Sequence, residues 1–419
     1  MKTAKKFGIR YNLSGLSELF SSFKGLFKDK DVLFIICLVS LLAASFLMTG
    51  FNRFPYTLIF NGILVIFCLC ALIILFKNQA FKFDKFFVFF CIYFFVILVN
   101  SLINKSFFLT PFANCFIGFF VYELAASSSR KKNDLLVFNF FLGLFFFSIL
   151  VFCYYLPSLM KGSLDGRIGD LFGSADGMGA ILSLLVFFCF YYLAKGYSFS
   201  VIPMILAFFL IILSQTRTAF ANVVVAFVPF LYFLLRDKKR YVFWISLVVI
   251  VCLFFGALQL PLFSSIKNRF LKMIQEYLGI GTDESASERL ELIKRSWSFA
   301  FSHPLYGYGY NGILRYSFQA AHDLLGDLSL YYGGIFALLT LAFFSAVNFS
   351  FFKNKGPYAL LLICSALFFF FNFFLGIVFS SRLISTYFSF VIGLSRSDQG
   401  LTIERKPSAR PVNVWYLNI

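Results

Sequence analysis

Two residue types, far apart in the chain, have the chemistry to act on a phosphorylated group at a membrane boundary: arginine and histidine. Arg217 lies in Leu213-Ser214-Gln215-Thr216-Arg217-Thr218, a turn between two long apolar runs that is too tight to lift a guanidinium far into water. A charge at the edge of hydrocarbon is costly unless paired, and the start of a helix offers unpaired N–H groups that favour phosphate. Such an arginine either snorkels to lipid head groups or clamps a phosphorylated ligand. Arg289 falls in the first turn of a helix that opens with the capping box Ser285–Glu288. A cation is mildly unfavourable there, which suggests a ligand or partner that compensates it. His322 stands four residues before an apolar run beginning at Gly326 and is one of only 2 histidines in the chain. Its unperturbed pKa suits proton transfer near neutrality. His303, directly before Pro304, reads as structural.

These residues need a scaffold, and the composition says which. The chain is 60% hydrophobic and 13% charged, with mean hydropathy +0.85, where a soluble domain carries about 25% charged residues. The implied class is all-α: a polytopic membrane protein of about twelve transmembrane helices with one large exterior loop containing short helices. The expected spans are 31–50, 56–76, 86–103, 107–126, 135–156, 177–194, 200–214, 217–235, 241–260, 326–349, 357–375 and 378–394. The organisation is a cytoplasmic amphipathic N-terminus (1–30), spans one to nine (31–260), an exterior loop (261–325), spans ten to twelve (326–394) and a cytoplasmic tail (395–419). Of the 37 Lys and Arg, 24 fall on the side holding both termini and 13 on the other. By the positive-inside rule both termini are cytoplasmic. No cleavable signal peptide is evident.

The exterior loop carries both histidines, with expected helices over about 264–278 and 285–302. On the second, Leu290, Ile293, Trp297 and Phe301 share one face, which is expected to lie along the outer leaflet. Arg167 and Asp176 lie in another exterior segment, punctuated by glycines. Several features read as bland. The net charge of +18 resides in topology anchors such as Arg130-Lys131-Lys132, not in a nucleic-acid surface. The 9 cysteines sit in apolar runs, so neither a structural disulfide nor a metal site is expected. The 66 phenylalanines read as lipid-facing bulk, Asp29-Lys30-Asp31 as a solvated charge run, and Glu123 as a structural group reaching the interface. Gly307-Tyr308-Gly309-Tyr310-Asn311-Gly312 spells a dinucleotide fingerprint, but it follows no strand and lies outside the cell. Its glycines are expected to allow a tight, close-packed turn.

Taken in order, Arg167-Ile-Gly-Asp-Leu-Phe-Gly-Ser-Ala-Asp176, Leu213-Ser-Gln-Thr-Arg217-Thr, Glu288-Arg289 with Trp297, His303-Pro-Leu-Tyr-Gly-Tyr-Gly, and His322 with Gly333 eleven residues on resemble the O-antigen ligase and polymerase superfamily. The resemblance covers roughly 167–336 and the twelve-span layout. It implies glycosyl transfer at the outer face of the cytoplasmic membrane, from an undecaprenyl-diphosphate-linked oligosaccharide donor to a glycan acceptor. Arg217 would be the main diphosphate clamp and Arg289 the second, with His322 taking the proton from the attacking hydroxyl or orienting it. Arg167, Asp176 and Arg382 would contact sugar or phosphate. Direct displacement would invert the anomeric centre, and neither metal nor cofactor is expected, because arginine supplies the positive charge. Membrane lipids, a chain-length regulator and a flippase are the implied company. Asp323, Phe336 and Asp176 depart from the ligase pattern and favour a repeat-unit polymerase over a ligase acting on another acceptor. The first exterior loop, 51–55, has no acid, unlike transferases that rely on a carboxylate or metal there. The rival from another class is a flippase of lipid-linked glycan, which would line a central cavity with charge at mid-membrane. This chain keeps its charge mostly at the outer ends of spans.

Overall fold

Within hydrocarbon a chain satisfies its own N–H and C=O groups only in helices or closed barrels, and this chain takes the helical solution. The computed structural model describes residues 21, 31–47, 56–78, 81, 83–105, 109–160, 168, 175–214, 216–235, 256, 259, 267–268, 271, 275, 291–292, 294–298, 301–309, 324–373 and 382–403; for Asp176, Arg217 and Arg382 it describes the backbone alone. The elements are α1 (Val32–Leu47), α2 (Tyr56–Lys77), α3 (Lys85–Ile103), α4 (Leu109–Ser127), α5 (Arg130–Met160), α6 (Ala175–Ala194), α7 (Val201–Ser214), α8 (Arg217–Leu235), α9 (Leu324–Tyr332), α10 (Gly334–Phe352), α11 (Ala359–Phe373) and α12 (Arg382–Ile403). No strand occurs among the described residues. Five helices there are long and apolar enough to cross a membrane, Lys85–Ile103, Arg130–Ser158, Gly177–Ala194, Thr218–Leu235 and Gly334–Phe352, with shorter apolar helices beside them. The chain is thus the multi-pass, all-helical protein expected.

Several expectations fall on other residues. The ninth span (241–260), apart from Gly256 and Gln259, and the amphipathic N-terminus, apart from Ser21, lie outside the described residues, as does the loop 51–55. In the exterior loop the described members of both expected helices, among them Lys267, Leu271, Glu291 and Lys294, are helical. Of the face expected on the second helix, Phe301 is exposed at 76% and Trp297 is half-buried, while Leu290 and Ile293 lie outside the described residues.

The tenth span departs from expectation. It is two helices, because Gly333, at φ 96° and ψ 154°, breaks the run between α9 and α10. That backbone region is essentially glycine-only. Phenylalanine is not confined to the lipid face: Phe140, Phe187, Phe188 and Phe344 are fully buried between helices. Stacked pairs such as Phe344 with Phe388 (4.3 Å) fill those interfaces. Lipid-facing stripes do exist, as at Val65, Leu69, Ile73 and Phe76 on α2. α6 is the central helix, with Leu182 to Phe190 at most 1% exposed.

Segments expected on the cytoplasmic side meet at one end of the bundle. Asp84 caps α3 by accepting from the N–H groups of Phe86 and Phe87. It also accepts from the Tyr122 hydroxyl (2.6 Å) and pairs with Arg396 Nε (3.0 Å). Asp134 accepts from Tyr358 (3.0 Å) and pairs with Lys195 (3.7 Å). Asp31, part-buried, pairs with Lys132, while Asp29 and Lys30 of the expected charge run lie outside the described residues. Glu123 is fully buried instead of reaching an interface. The cause is close packing of α4 along α12, where a methyl at Gly393 would lie 2.6 Å from the Tyr122 carbonyl.

Candidate functional site

The opposite end of the bundle is where the candidate chemistry is anchored. Only Gln215 and Thr216 separate α7 from α8, so Arg217 is the first residue of α8. The turn is held by polar contacts: Ser214 Oγ donates to the Ile211 carbonyl (2.7 Å) and lies 2.9 Å from Thr216 Oγ1. α6 runs parallel to α8 and touches this turn. Ser183 Oγ donates to the carbonyls of Gly179 (2.8 Å) and Ala219 (3.4 Å). A methyl at Gly179 would lie 2.9 Å from Ala219 Cβ and closer still to Thr216 Oγ1, so glycine is what permits the approach. Asp176 is in the first turn of α6, three residues ahead of that contact.

Ile168, buried at 1% exposure, donates its backbone N–H to the Leu213 carbonyl (3.5 Å). This bond ties the residue after Arg167 to the turn that leads into Arg217. α11 finishes at the same end. Asn372 Nδ2 donates to Asn222 Oδ1 on α8 (3.1 Å) and to the Phe368 carbonyl (2.7 Å). Tyr387 of α12 contacts Ser365 of α11 (2.6 Å), so α12 starts where α11 ends, and Arg382 is its first residue. Asp176, Arg217 and Arg382 therefore each stand in the first turn of a helix at one end of the bundle. Arg167, Arg289 and His322 lie outside the described residues.

His322 lies between Gly309 and Leu324, the nearest described residues on either side in sequence. α9 begins two residues after it, and a strap, 303–309, wraps the far end of that helix. Tyr308 N–H donates to the Leu330 carbonyl (2.7 Å), and Ile335 N–H to the Pro304 carbonyl (3.0 Å). Gly307 and Gly309 have positive φ, so this is the tight turn that the glycines implied. His303 packs on the Tyr308 ring (4.3 Å between ring centres) with Ser302 Oγ 3.2 Å from its Nδ1, a structural setting as expected.

Three asparagines escaped the sequence reading. Asn100 of α3 donates to the carbonyls of Tyr306 and Tyr331 (2.7 Å to the latter). Asn222 and Asn372 are buried at 2% and 0%. The Phe368 carbonyl fixes the orientation of the Asn372 amide, leaving Asn222 Nδ2 and Asn372 Oδ1 without a partner among the described residues. The signal that could have found all three is an amide inside an apolar run, which is expensive in hydrocarbon unless used.

What the fold and this end of the bundle define is a multi-pass helical membrane protein whose charged helix starts gather away from its ion-paired face. Residues 202–332 match the family model described as O-antigen ligase, and that match supports the O-antigen ligase and polymerase superfamily for this chain. The matched stretch runs from α7 through α9 and includes Arg217, Arg289 and His322; Arg167, Asp176 and Arg382 fall outside it. No curated protein and no solved structure matches the chain.

Proposed function

We propose that this protein is a membrane glycosyltransferase that polymerises oligosaccharide repeat units carried on undecaprenyl diphosphate into a cell-surface polysaccharide, at the outer face of the cytoplasmic membrane. The observation that carries the reading is the turn Ser214–Arg217: inside the family match, at a helix start, packed against the first turns of α6 and tied to the residue after Arg167.

In the reaction, the acceptor hydroxyl oxygen attacks the anomeric carbon of the donor sugar. His322 accepts the hydroxyl proton, or orients it. The bond from the anomeric carbon to the diphosphate oxygen breaks with its electron pair, and the lipid diphosphate leaves with inversion at carbon. Arg217 and Arg289 stabilise the charge that develops on the leaving oxygens, which is worth most where water is excluded. The planar guanidinium fork suits phosphate oxygens in a way that an ammonium does not. Arg167, Asp176 and Arg382 contact sugar or phosphate.

The family model's description favours a second reading, a ligase that moves finished glycan to a different acceptor. Products separate the two. Purified protein given only lipid-diphosphate oligosaccharide yields a lengthening ladder still on lipid diphosphate if it is a polymerase, and a single attachment that needs an added acceptor if it is a ligase. A third outcome, donor crossing sealed vesicles with no bond formed, would identify a flippase and overturn both.

A further inference from the structure

The strap and the helix end before it, Phe301 to Gly309, contain no Lys, Arg, Asp or Glu. Phe301 and Leu305 are 76% and 70% exposed, and Tyr306 is exposed beside them. The two spans that the strap touches set its depth. α3, at 19 residues, is about 28 Å long, close to the roughly 30 Å of hydrocarbon that a span crosses. α10 runs antiparallel to it: Phe336 packs beside Tyr93 (5.5 Å between ring centres), and Phe343 beside Phe86 (5.7 Å). Tyr93 is ten residues short of Ile103, so α10 starts about 12 Å nearer the ion-paired end than α3 finishes. The strap fills that step. The Pro304 carbonyl accepts from the Ile335 N–H (3.0 Å) at the start of α10, and the Tyr306 carbonyl accepts from Asn100 on α3. Gly309 meets Asn104, just past the end of α3, where a methyl would lie 2.7 Å from the Asn104 Cβ. Residues 304–309 therefore climb beside the last turns of α3, at the depth of hydrocarbon.

Irregular backbone survives at that depth only where the protein pairs its polar groups. Besides the two carbonyls above, Gly307 N–H donates to the His303 carbonyl (3.1 Å) and Tyr308 N–H to the Leu330 carbonyl (2.7 Å). Ser302 Oγ lies 2.8 Å from the Tyr308 hydroxyl and 3.2 Å from His303 Nδ1, so the polar side chains partner one another. What faces outward is apolar, and it is flanked by exposed apolar residues of both spans: Leu102 and Ile103 on α3, Ile335 and Leu338 on α10. Lys105, exposed directly after α3, stands at head-group level, where a long cationic side chain reaches water.

We infer that the strap is a re-entrant segment whose Phe301, Leu305 and Tyr306 side chains are seated among lipid acyl chains, in the leaflet at the end of the bundle opposite Asp84. The partner is the bilayer, because the exposed residues continue the lipid-facing surface of two spans. The inference is independent of the glycan-transfer reading.

The test uses the full-length protein in nanodiscs of one synthetic phosphatidylcholine. The photocrosslinker p-benzoylphenylalanine is placed at Leu305, at Leu69 on the exposed stripe of α2, and at Arg295, exposed on the helix before the strap. After irradiation the intact mass is read. The expected result is a phosphatidylcholine adduct at Leu305 and Leu69 and none at Arg295. No adduct at Leu305, a crosslink there to a second copy of the chain, or an adduct with a polyprenyl lipid alone would overturn the inference. A second measurement labels Leu305→Cys and Arg295→Cys with a water-soluble maleimide, read as the gain over wild type. A thiol among acyl chains does not ionise, so Leu305→Cys should label more than about ten-fold more slowly than Arg295→Cys. Equal rates would put the strap in water and overturn the inference.

Discussion

The closest approach near the candidate site gives the sharpest expectation. In Gly179→Ala the new methyl would lie 2.9 Å from Ala219 Cβ and nearer still to Thr216 Oγ1. Carbon atoms rest about 3.5–4.0 Å apart, so relieving the Ala219 contact alone separates α6 and α8 by roughly 0.6–1.1 Å, and Thr216 Oγ1, closer still, must also give way. Overpacking of this kind costs about 1–3 kcal/mol, while replacing glycine by alanine inside a helix returns about 1 kcal/mol. The two nearly offset, so the detergent-solubilised protein should lose only a few degrees of melting temperature, on the order of 0–2 kcal/mol. Rate should suffer far more. The shift falls on the turn leading into Arg217, and misplacement of about 1 Å costs on the order of 100-fold. Melting by fluorescence-detected size exclusion and polymer output at equal protein amount measure the two effects. Adding Ala219→Gly removes one of the opposed groups and should recover part of the rate. A Gly179→Ala protein with raised melting temperature and undiminished output would refute the claim that α6 braces this turn.

Four other perturbations separate scaffold from chemistry. Asp84→Ala removes a helix cap, an ion pair and a tyrosine partner at the far end of the bundle, and should cost about 2–4 kcal/mol of stability. Tyr122→Phe should cost less, about 1.5 kcal/mol, and both should keep wild-type turnover per folded molecule in thermal-shift and activity assays. Gly333→Ala places a methyl 2.6 Å from the Pro304 carbonyl at a φ that alanine rarely adopts. It should cost more than about 3 kcal/mol and expose the strap to chymotrypsin at Tyr306 and Tyr308. Arg217→Lys should remain well folded yet be impaired in product formation, because a point charge does not reproduce the fork; equal output from Lys and Arg would remove the bidentate argument.

Helix positions were legible wherever a long apolar run met a charged or glycine-rich boundary. α3, α7 and α11 lie close to the expected spans for that reason. The break at Gly333 was not legible, because Leu328-Ser-Leu-Tyr-Tyr-Gly-Gly-Ile-Phe336 reads as one continuous apolar run, and only the strap docked behind it shows why the chain turns. The fate of Asp31 was hidden likewise: a charge run looks solvated until Lys132, about a hundred residues on, is seen beside it. For the candidate site, sequence order and alternation of sides placed Asp176, Arg217 and Arg382 at one end of the bundle, since each lies at the start of an expected inward-running span. Which helices touch there was beyond it. Contacts such as Gly179 with Thr216, or Asn222 with Asn372, depend on side-by-side packing that no single span encodes.

The most direct measurement is reconstitution of the purified protein with lipid-diphosphate-linked oligosaccharide, following lipid-diphosphate release and product length together. The account predicts a ladder accompanied by lipid-diphosphate release from the wild type, and neither from Arg217→Ala or His322→Ala at equal protein level. Intact donor moved across the bilayer without release, or wild-type ladders from either alanine variant, would contradict it.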